Sequence, residues 1–185
     1  MNVPATVGGR ERLRLFCALR LPAAAVDELS SWRADTFANA GVRVLGREQL
    51  HVTLAFLGHR PAGELDAIAT ELGDAARAAE PATLTVNGYR ETRSVGMLVC
   101  EDEGGRAASL AADLHRRLER LGVYEPERRE WLPHITVVRF RRHPRLQPSL
   151  PELEVVTSEA AVYMSVLRPS GAQYEVLQSV ALGGS

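Results

Sequence analysis

Two short stretches decide the fold of this chain: LHVTLAFL at residues 50–57 and PHITVVRF at residues 133–140. Both are rich in aliphatic and β-branched residues, so each is predicted to form a β-strand. Each contains the pattern His-x-Thr followed by an apolar residue. Because side chains alternate between the two faces of a strand, the histidine and the threonine of each stretch share one face. The sequence therefore predicts two strands that each present a histidine and a threonine together.

The predicted elements around these stretches form a weak internal repeat. A strand at residues 13–21, a helix at 22–38 and the first His-x-Thr strand are echoed by a strand at 94–101, a helix at 105–121 and the second His-x-Thr strand. Two β-α-β copies that face each other would bring both His-x-Thr strands to a shared cleft. We therefore predict a single domain built from two pseudo-symmetric lobes, one around each histidine.

The rest of the chain is predicted from its apolar periodicity and its turn residues. Gly58 is expected to end the first His-x-Thr strand, and Gly122 the third helix. Four leucines should form the apolar face of that helix: Leu110, Leu114, Leu118 and Leu121. The other predicted segments are a loose tail at residues 1–11, a helix at 62–79, a loop at 141–151, and strands at 42–45, 83–89, 154–159, 161–167 and 173–182.

The composition limits the classes of function that the chain can have. With 185 residues one domain is expected, and a net charge of −1 provides no global attraction to nucleic acid or membrane. All 22 basic residues are arginine, so the absence of lysine excludes a P-loop, Schiff-base chemistry and ligation through a lysyl-adenylate. Cys17 and Cys100 are expected to be buried thiols of a cytoplasmic protein, and no apolar run suits a signal peptide or a membrane span.

The two motif histidines, His51 and His134, suit acid–base catalysis because imidazole titrates near neutral pH. One neutral ring can take a proton from water, and one protonated ring can give a proton to a leaving oxygen. The hydroxyls of Thr53 and Thr136 can donate hydrogen bonds to a charged phosphoryl oxygen. This set of groups suits phosphoryl transfer. A cyclic phosphodiester is a fitting substrate, because its ring opening needs only water, an acid and groups that bind the charge.

The two motifs resemble the signature of the two-histidine (2H) phosphoesterase superfamily. The segments LRLFCALRLP (13–22) and SVLRPSGAQYEVL (165–177) resemble its bacterial and archaeal branch of RNA 2′,3′-cyclic phosphodiesterases, long called 2′-5′ RNA ligases. The resemblance implies an α+β, bilobal and pseudo-symmetric fold, in which antiparallel sheets line a central cleft and helices lie outside. It also implies that 2′,3′-cyclic phosphate ends of RNA or nucleotides are hydrolysed to 2′-phosphates without metal or other cofactor.

The resemblance assigns roles to the four motif residues. His51 would protonate the departing 3′ oxygen, and His134 would activate the attacking water. Thr53 and Thr136 would hold the phosphate.

Two further positions match the family pattern. Phe56 matches the residue that stacks on the base, and Arg139 matches an arginine that contacts the phosphate. Strict alternation places both side chains on the face opposite the histidines, so their implied roles require a bulge, a twist or an edge position in each strand. The loop that follows carries three more arginines, either as a solvated edge or as an RNA-backbone patch: Arg141, Arg142 and Arg145.

Two other functions remain open at this point. The same fold could be a nucleotide- or RNA-binding module without turnover, or it could join RNA ends through 2′-5′ bonds without ATP. A metal hydrolase is disfavoured, because no Asp or Glu sits at ligand spacing beside either motif histidine. We expect a monomer whose partner is RNA with a cyclic phosphate end, or a cyclic nucleotide. The remaining histidines, His59, His115 and His143, are expected at the surface, and Trp131 in packing.

Overall fold

The computed structural model describes residues 11–184. The strands within this range are β1 (Arg12–Arg20), β2 (Arg43–Val44), β3 (His51–Pro61), β4 (Ala82–Glu91), β5 (Val95–Asp102), β6 (His134–Arg139), β7 (Glu154–Thr157), β8 (Glu159–Arg168) and β9 (Gly171–Ala181). The helices are α1 (Ala23–Phe37), α2 (Leu65–Ala78) and α3 (Arg106–Arg120). Apart from Glu11, which directly precedes β1, the predicted tail lies outside the described residues.

The strands form one antiparallel sheet in the order β7-β4-β5-β6-β3-β1-β8-β9, and β2 pairs with β6. The two His-x-Thr strands, β3 and β6, are therefore neighbours in the middle. Each also lies beside the first strand of its own predicted repeat, because β1 pairs with β3 and β5 pairs with β6. The predicted α+β class with antiparallel strands is confirmed. The equivalence of two lobes stays a prediction.

One main hydrophobic core fills the space between the sheet and the helices. Leu15, Cys17 and Leu19 of β1 belong to this core, as alternation predicts. The helices contribute apolar side chains at helical spacing: Ile68 and Leu72 from α2, and Leu110, Leu114 and Leu118 from α3. Each such side chain stabilises the fold by about 1.5–3 kcal/mol when fully buried. This packing covers one face of the sheet, and the opposite face of its middle strands carries the motif histidines.

Two predicted details are wrong. β3 does not end at Gly58 but runs to Pro61. Gly58 has a φ of 68° at an irregular point of the strand, a conformation that glycine adopts without steric cost, so the strand continues through it. Leu121 does not join the apolar face of α3 and is 37% exposed. It lies just after the helix, where Gly122 turns the chain with a φ of 77°.

The two cysteines are free and buried. Burial raises the pKa of Cys17 to about 12 and that of Cys100 to about 11, so both stay protonated and unreactive near neutral pH. None of the helices in residues 11–184 is both long enough and apolar enough to cross a lipid bilayer.

Candidate active site

A quartet of motif side chains lies on one face of the central strand pair. It comprises His51, Thr53, His134 and Thr136. Val52 lies opposite Ile135 across β3 and β6. In an antiparallel pair this register sets each motif histidine beside the threonine of the other strand. The quartet side chains are half-buried, whereas Val52 and Ile135 between them point into the core. The structure thus brings the two motifs together as predicted.

A β-bulge follows the threonine of the first motif. Consecutive residues of β1 pair with Thr53 and Ala55, which leaves Leu54 as the extra residue of β3. Leu54 and Ala55 are both buried, so the alternation of faces is reversed beyond this point. Phe56 consequently emerges on the face of the quartet, with 46% of its surface exposed. Strict alternation is therefore wrong here, and the bulge is the reason.

The second motif contains an equivalent β-bulge. Consecutive residues of β5 pair with Thr136 and Val138, so Val137 is the extra residue of β6. Val137 and Val138 are both fully buried, and Arg139 then emerges, exposed, on the face of the quartet. The bulges occupy equivalent positions in the two motifs, directly after each threonine.

The cleft at the quartet consists of two adjoining cavities. Five of the six predicted site residues line the first, which has a volume of about 140 Å³: His51, Thr53, Phe56, Thr136 and Arg139. The sixth, His134, lines the second cavity, of about 730 Å³, which shares Thr53 and Phe56 with the first. His51 therefore lines the smaller cavity of the cleft, and His134 lines the larger one.

Hydrogen bonds orient the two imidazoles. Nδ1 of His134 donates to the backbone carbonyl of Leu132 at 2.8 Å. Because a carbonyl can only accept, neutral His134 carries its proton on Nδ1 and a lone pair on Nε2. Nε2 of His51 lies 3.1 Å from the hydroxyl of Thr53, and Nδ1 of His51 is buried without a hydrogen-bond partner among the described residues.

An aromatic enclosure surrounds His51. Its ring lies 4.9 Å from that of Phe16, 5.7 Å from Tyr163 and 5.5 Å from Tyr174, measured between centroids. Burial in this enclosure lowers the pKa of His51 from 6.5 to about 4. The backbone carbonyl of Gln49 opposes this lowering of the pKa of His51. The electrostatic influence of His134 and Arg139 lowers the pKa of His51 further. His51 is therefore neutral at pH 7 in the free protein.

Two residues that the sequence analysis did not assign to the site hold the bulge of β3. Nε1 of Trp131 donates to the carbonyl of Thr53 at 3.0 Å. Nε2 of His115 lies 2.7 Å from the carbonyl of Leu54 and donates to it, while its ring stacks on Tyr124 at 4.6 Å. The expectation that His115 lies free at the surface is wrong. No local pattern signals this contact, because it joins α3 to a strand residue 61 positions away in the chain.

The arginine loop after β6 stays away from the quartet. None of Arg141, Arg142 and Arg145 lines either cavity among the described residues. The loop is held by Glu91, whose carboxylate accepts hydrogen bonds from the backbone N–H groups of Arg145 and Leu146. These hydrogen bonds hold the loop against the end of β4. The contact of the loop with RNA stays a prediction.

Comparisons with known proteins agree with this architecture. Residues 21–167 match the model of the 2′-5′ RNA ligase superfamily. The chain is 33% identical to the RNA 2′,3′-cyclic phosphodiesterase of Thermus thermophilus, over 93% of its own length and 91% of that protein. It is 32% identical to the Escherichia coli protein of the same name, over 70% and 73% of the two lengths.

Solved structures show the same relationship. A crystal structure of a Thermus thermophilus protein matches with a TM-score of 0.81 and 31% identity, covering 93% of this chain and 99% of that one. Escherichia coli LigT complexed with 3′-AMP matches with a TM-score of 0.78 and 28% identity, covering 94% and 100%. The chain belongs to the 2′-5′ RNA ligase superfamily, which confirms the family predicted from the two His-x-Thr motifs.

Replacing His51 by glutamine should remove part of the acid sensitivity of folding. Between pH 6.5 and about 4, the unfolded chain binds a proton at His51 that the folded protein excludes, so acidification favours the unfolded state. The wild type should therefore lose stability as the pH falls through this window, by at most about 3 kcal/mol more than His51→Gln. Chemical denaturation at pH 7 and pH 4.5 measures both free energies of unfolding. A stability difference that is equal at the two pH values would contradict the lowered pKa.

Replacing His115 by phenylalanine should weaken the fold around the bulge. The ring is kept, but the carbonyl of Leu54 loses its donor, which costs about 1–3 kcal/mol for a buried group left unpaired. Denaturant unfolding at pH 7 measures the loss. His59→Phe is the matched control, because His59 is exposed and should tolerate the change. Equal stability of His115→Phe and the wild type would show that the hydrogen bond does not hold the bulge.

Proposed function

We propose that this protein is an RNA 2′,3′-cyclic 3′-phosphodiesterase, which opens 2′,3′-cyclic phosphate ends of RNA or nucleotides to 2′-phosphates. The observation that carries the proposal is the quartet, in which two histidines and two threonines share one face of the central strand pair. The comparisons support it, since the curated relatives bear this activity in their names and LigT has been solved with 3′-AMP.

In the proposed reaction, water attacks phosphorus and the bond between phosphorus and the 3′ oxygen breaks. His134 takes the proton of the water through Nε2, whose lone pair is available because Nδ1 donates to the Leu132 carbonyl. His51 gives a proton to the departing 3′ oxygen. Because His51 is neutral in the free protein at pH 7, the negative charge of the bound phosphate has to raise its pKa first. Substrate binding thus promotes the protonated form of His51, which is the general acid of the reaction.

The other site residues bind the substrate. Thr53 of β3 and Thr136 of β6 donate hydrogen bonds to the phosphoryl oxygens from the two neighbouring strands. Arg139 offsets the negative charge that the phosphate brings into the cleft. Phe56 stacks on the base, for which its exposed ring is suited. Each of these contacts uses a side chain that the bulges or the strand register bring to one cavity.

The proposed setting is a monomer in the cytoplasm. The free, buried thiols of Cys17 and Cys100 suit a reducing compartment. The large apolar side chains that are exposed lie on separate elements, as Val156 on β7 and Leu167 on β8 do, which suits a chain that works alone.

A direct assay tests the function and its independence of metal. The protein should convert 2′,3′-cyclic AMP, and an oligonucleotide with a cyclic phosphate end, to 2′-phosphate products. The rate should be unchanged by EDTA, since no group of three possible ligands for a metal occurs in residues 11–184. Loss of hydrolysis in EDTA with recovery in Zn²⁺ or Mn²⁺ would contradict the mechanism. Binding without turnover would instead identify a non-hydrolytic module, and joined oligonucleotides would identify a ligase.

Removing either motif histidine should nearly abolish hydrolysis. His51→Ala and His134→Ala should each lower kcat by about 10²–10⁴, the usual contribution of general acid or base catalysis. The double variant should lose much less than the product of the two losses, because the rings act as one unit. The pH profile of kcat/KM should be bell-shaped, since one ring must be protonated while the other is neutral.

The threonines and an unrelated histidine provide the controls. Thr53→Ala and Thr136→Ala should lower the rate and leave the bell-shaped profile in place, because a hydroxyl does not titrate in this range. His59→Ala should retain full activity, since His59 is exposed and lines neither cavity. A monotonic pH profile, or near-normal turnover by His134→Ala, would show that the two histidines are not an acid–base pair.

A further inference from the structure

Arg14 is a charged side chain of the cleft that the catalytic scheme leaves unused. It belongs to β1 and shares a face with Phe16, whose ring lies 4.9 Å from that of His51. Its side chain lines the same cavity as His51 and Thr53. Because β1 is the neighbour of β3 in the sheet, Arg14 forms part of the cleft wall one strand away from the quartet.

Two uncharged groups hold the guanidinium of Arg14. Nη1 donates a hydrogen bond to Oγ of Ser165 at 3.0 Å, and Ser165 is itself buried. Cζ lies 4.9 Å from the centroid of the Phe56 ring. Neither partner neutralises the positive charge. A guanidinium carries five N–H donors and the contact with Ser165 uses one, so donors remain for a ligand.

No carboxylate of residues 11–184 forms an ion pair with Arg14. Arg20, on the same face of the same strand, shows the contrast, because it pairs with Glu159 at 3.0 Å. A half-buried cation without a counter-ion can take an anionic partner without breaking an internal ion pair. The surroundings of Arg14 are therefore suited to an anionic group of the ligand.

The register separates this anionic group from the phosphate that reacts. His51 pairs with Arg20 of β1, whereas Phe56 pairs with Phe16, four residues further along. Long side chains bridge this backbone offset, since the Phe16 ring lies 4.9 Å from that of His51. Arg14 follows Phe16 in the same direction and packs on Phe56. Its guanidinium also lines the cavity of His51, so it meets a group of the same ligand that lies beside Phe56.

We propose that Arg14 binds the phosphodiester on the 5′ side of the terminal nucleotide, so that the site prefers RNA ends to cyclic mononucleotides. This inference rests on the proposed function. When the cyclic phosphate lies at the quartet and the base lies on the free face of Phe56, the 5′ phosphate is the other anionic group of that nucleotide. A guanidinium that is already oriented by Ser165 binds such a group through paired N–H donors.

Two substrates that differ only at the 5′ position test the proposal: 2′,3′-cyclic AMP and its 5′-phosphorylated form. The wild type should show a higher kcat/KM for the 5′-phosphorylated substrate, by about 10- to 100-fold, the value of charge-assisted hydrogen bonds. Arg14→Gln should lose most of this preference while its kcat/KM for 2′,3′-cyclic AMP changes by less than about threefold, within the effect of one weak contact. Arg12→Gln is the matched control, because Arg12 is exposed and lies outside the cavity on the same strand.

A second variant distinguishes a specific loss of 5′ phosphate binding from a general loss of folding. Ser165→Ala keeps the charge of Arg14 but removes the group that orients it, so the preference for the 5′ phosphate should fall by a smaller factor. Equal losses on both substrates in Arg14→Gln would overturn the proposal, as would a wild type that does not distinguish them.

Binding measurements separate this inference from the proposed function. Calorimetry with adenosine 2′-monophosphate and adenosine 2′,5′-bisphosphate should show tighter binding of the bisphosphate to the wild type, and a much smaller difference for Arg14→Gln. If neither cyclic substrate is hydrolysed, the proposed function fails, and the ratio of the two dissociation constants still decides the role of Arg14. An unchanged ratio in Arg14→Gln would overturn that role even in an active enzyme.

Discussion

The backbone register that sets Val52 opposite Ile135 is the constraint on which the rest of this structure depends. Both side chains lie in the core, at 0% and 1% exposure, and the quartet occupies the other face of the same strands. A slip of one residue would turn the aliphatic side chains toward water and the histidines toward the core. Such a slip would cost several kcal/mol in lost apolar burial and in unpaired polar groups. The packing of the hydrophobic core thus fixes which side chains lie on the opposite face of these strands.

The two bulges extend this constraint along each strand. Each inserts a buried aliphatic residue, Leu54 or Val137, so the core gains apolar contact while the alternation is reversed. A bulge disrupts the regular ladder of backbone hydrogen bonds. In β3 the side chains of Trp131 and His115 donate to carbonyls at the bulge. The irregularity is therefore a stable feature, and Phe56 reaches the cleft because of it.

The electrostatics of the cleft favour an anionic ligand. The enclosed His51 is neutral at pH 7, while Arg14 and Arg139 form no ion pair with a carboxylate among the described residues. A phosphate would therefore find donors and positive charge without displacing an internal carboxylate. It would also raise the pKa of His51, which is the acid of the proposed reaction. In a chain with a net charge of −1, this attraction comes from local groups of the cleft and not from the charge of the whole protein.

The two motifs in the sequence by themselves determined the family and the α+β class. The sequence also determined that His51 and Thr53 share one face of their strand, because the alternation of side chains along a strand is a local property. The adjacent apolar residues after each threonine were also visible there, and they mark the bulges. The internal repeat predicted a shared cleft, but only the tertiary structure showed that the two motif strands are direct neighbours in one sheet. It alone revealed Arg14 in the cleft and His115 at the bulge, since both roles depend on contacts between residues far apart in the chain. Such contacts follow from packing, and packing is not encoded in any local pattern.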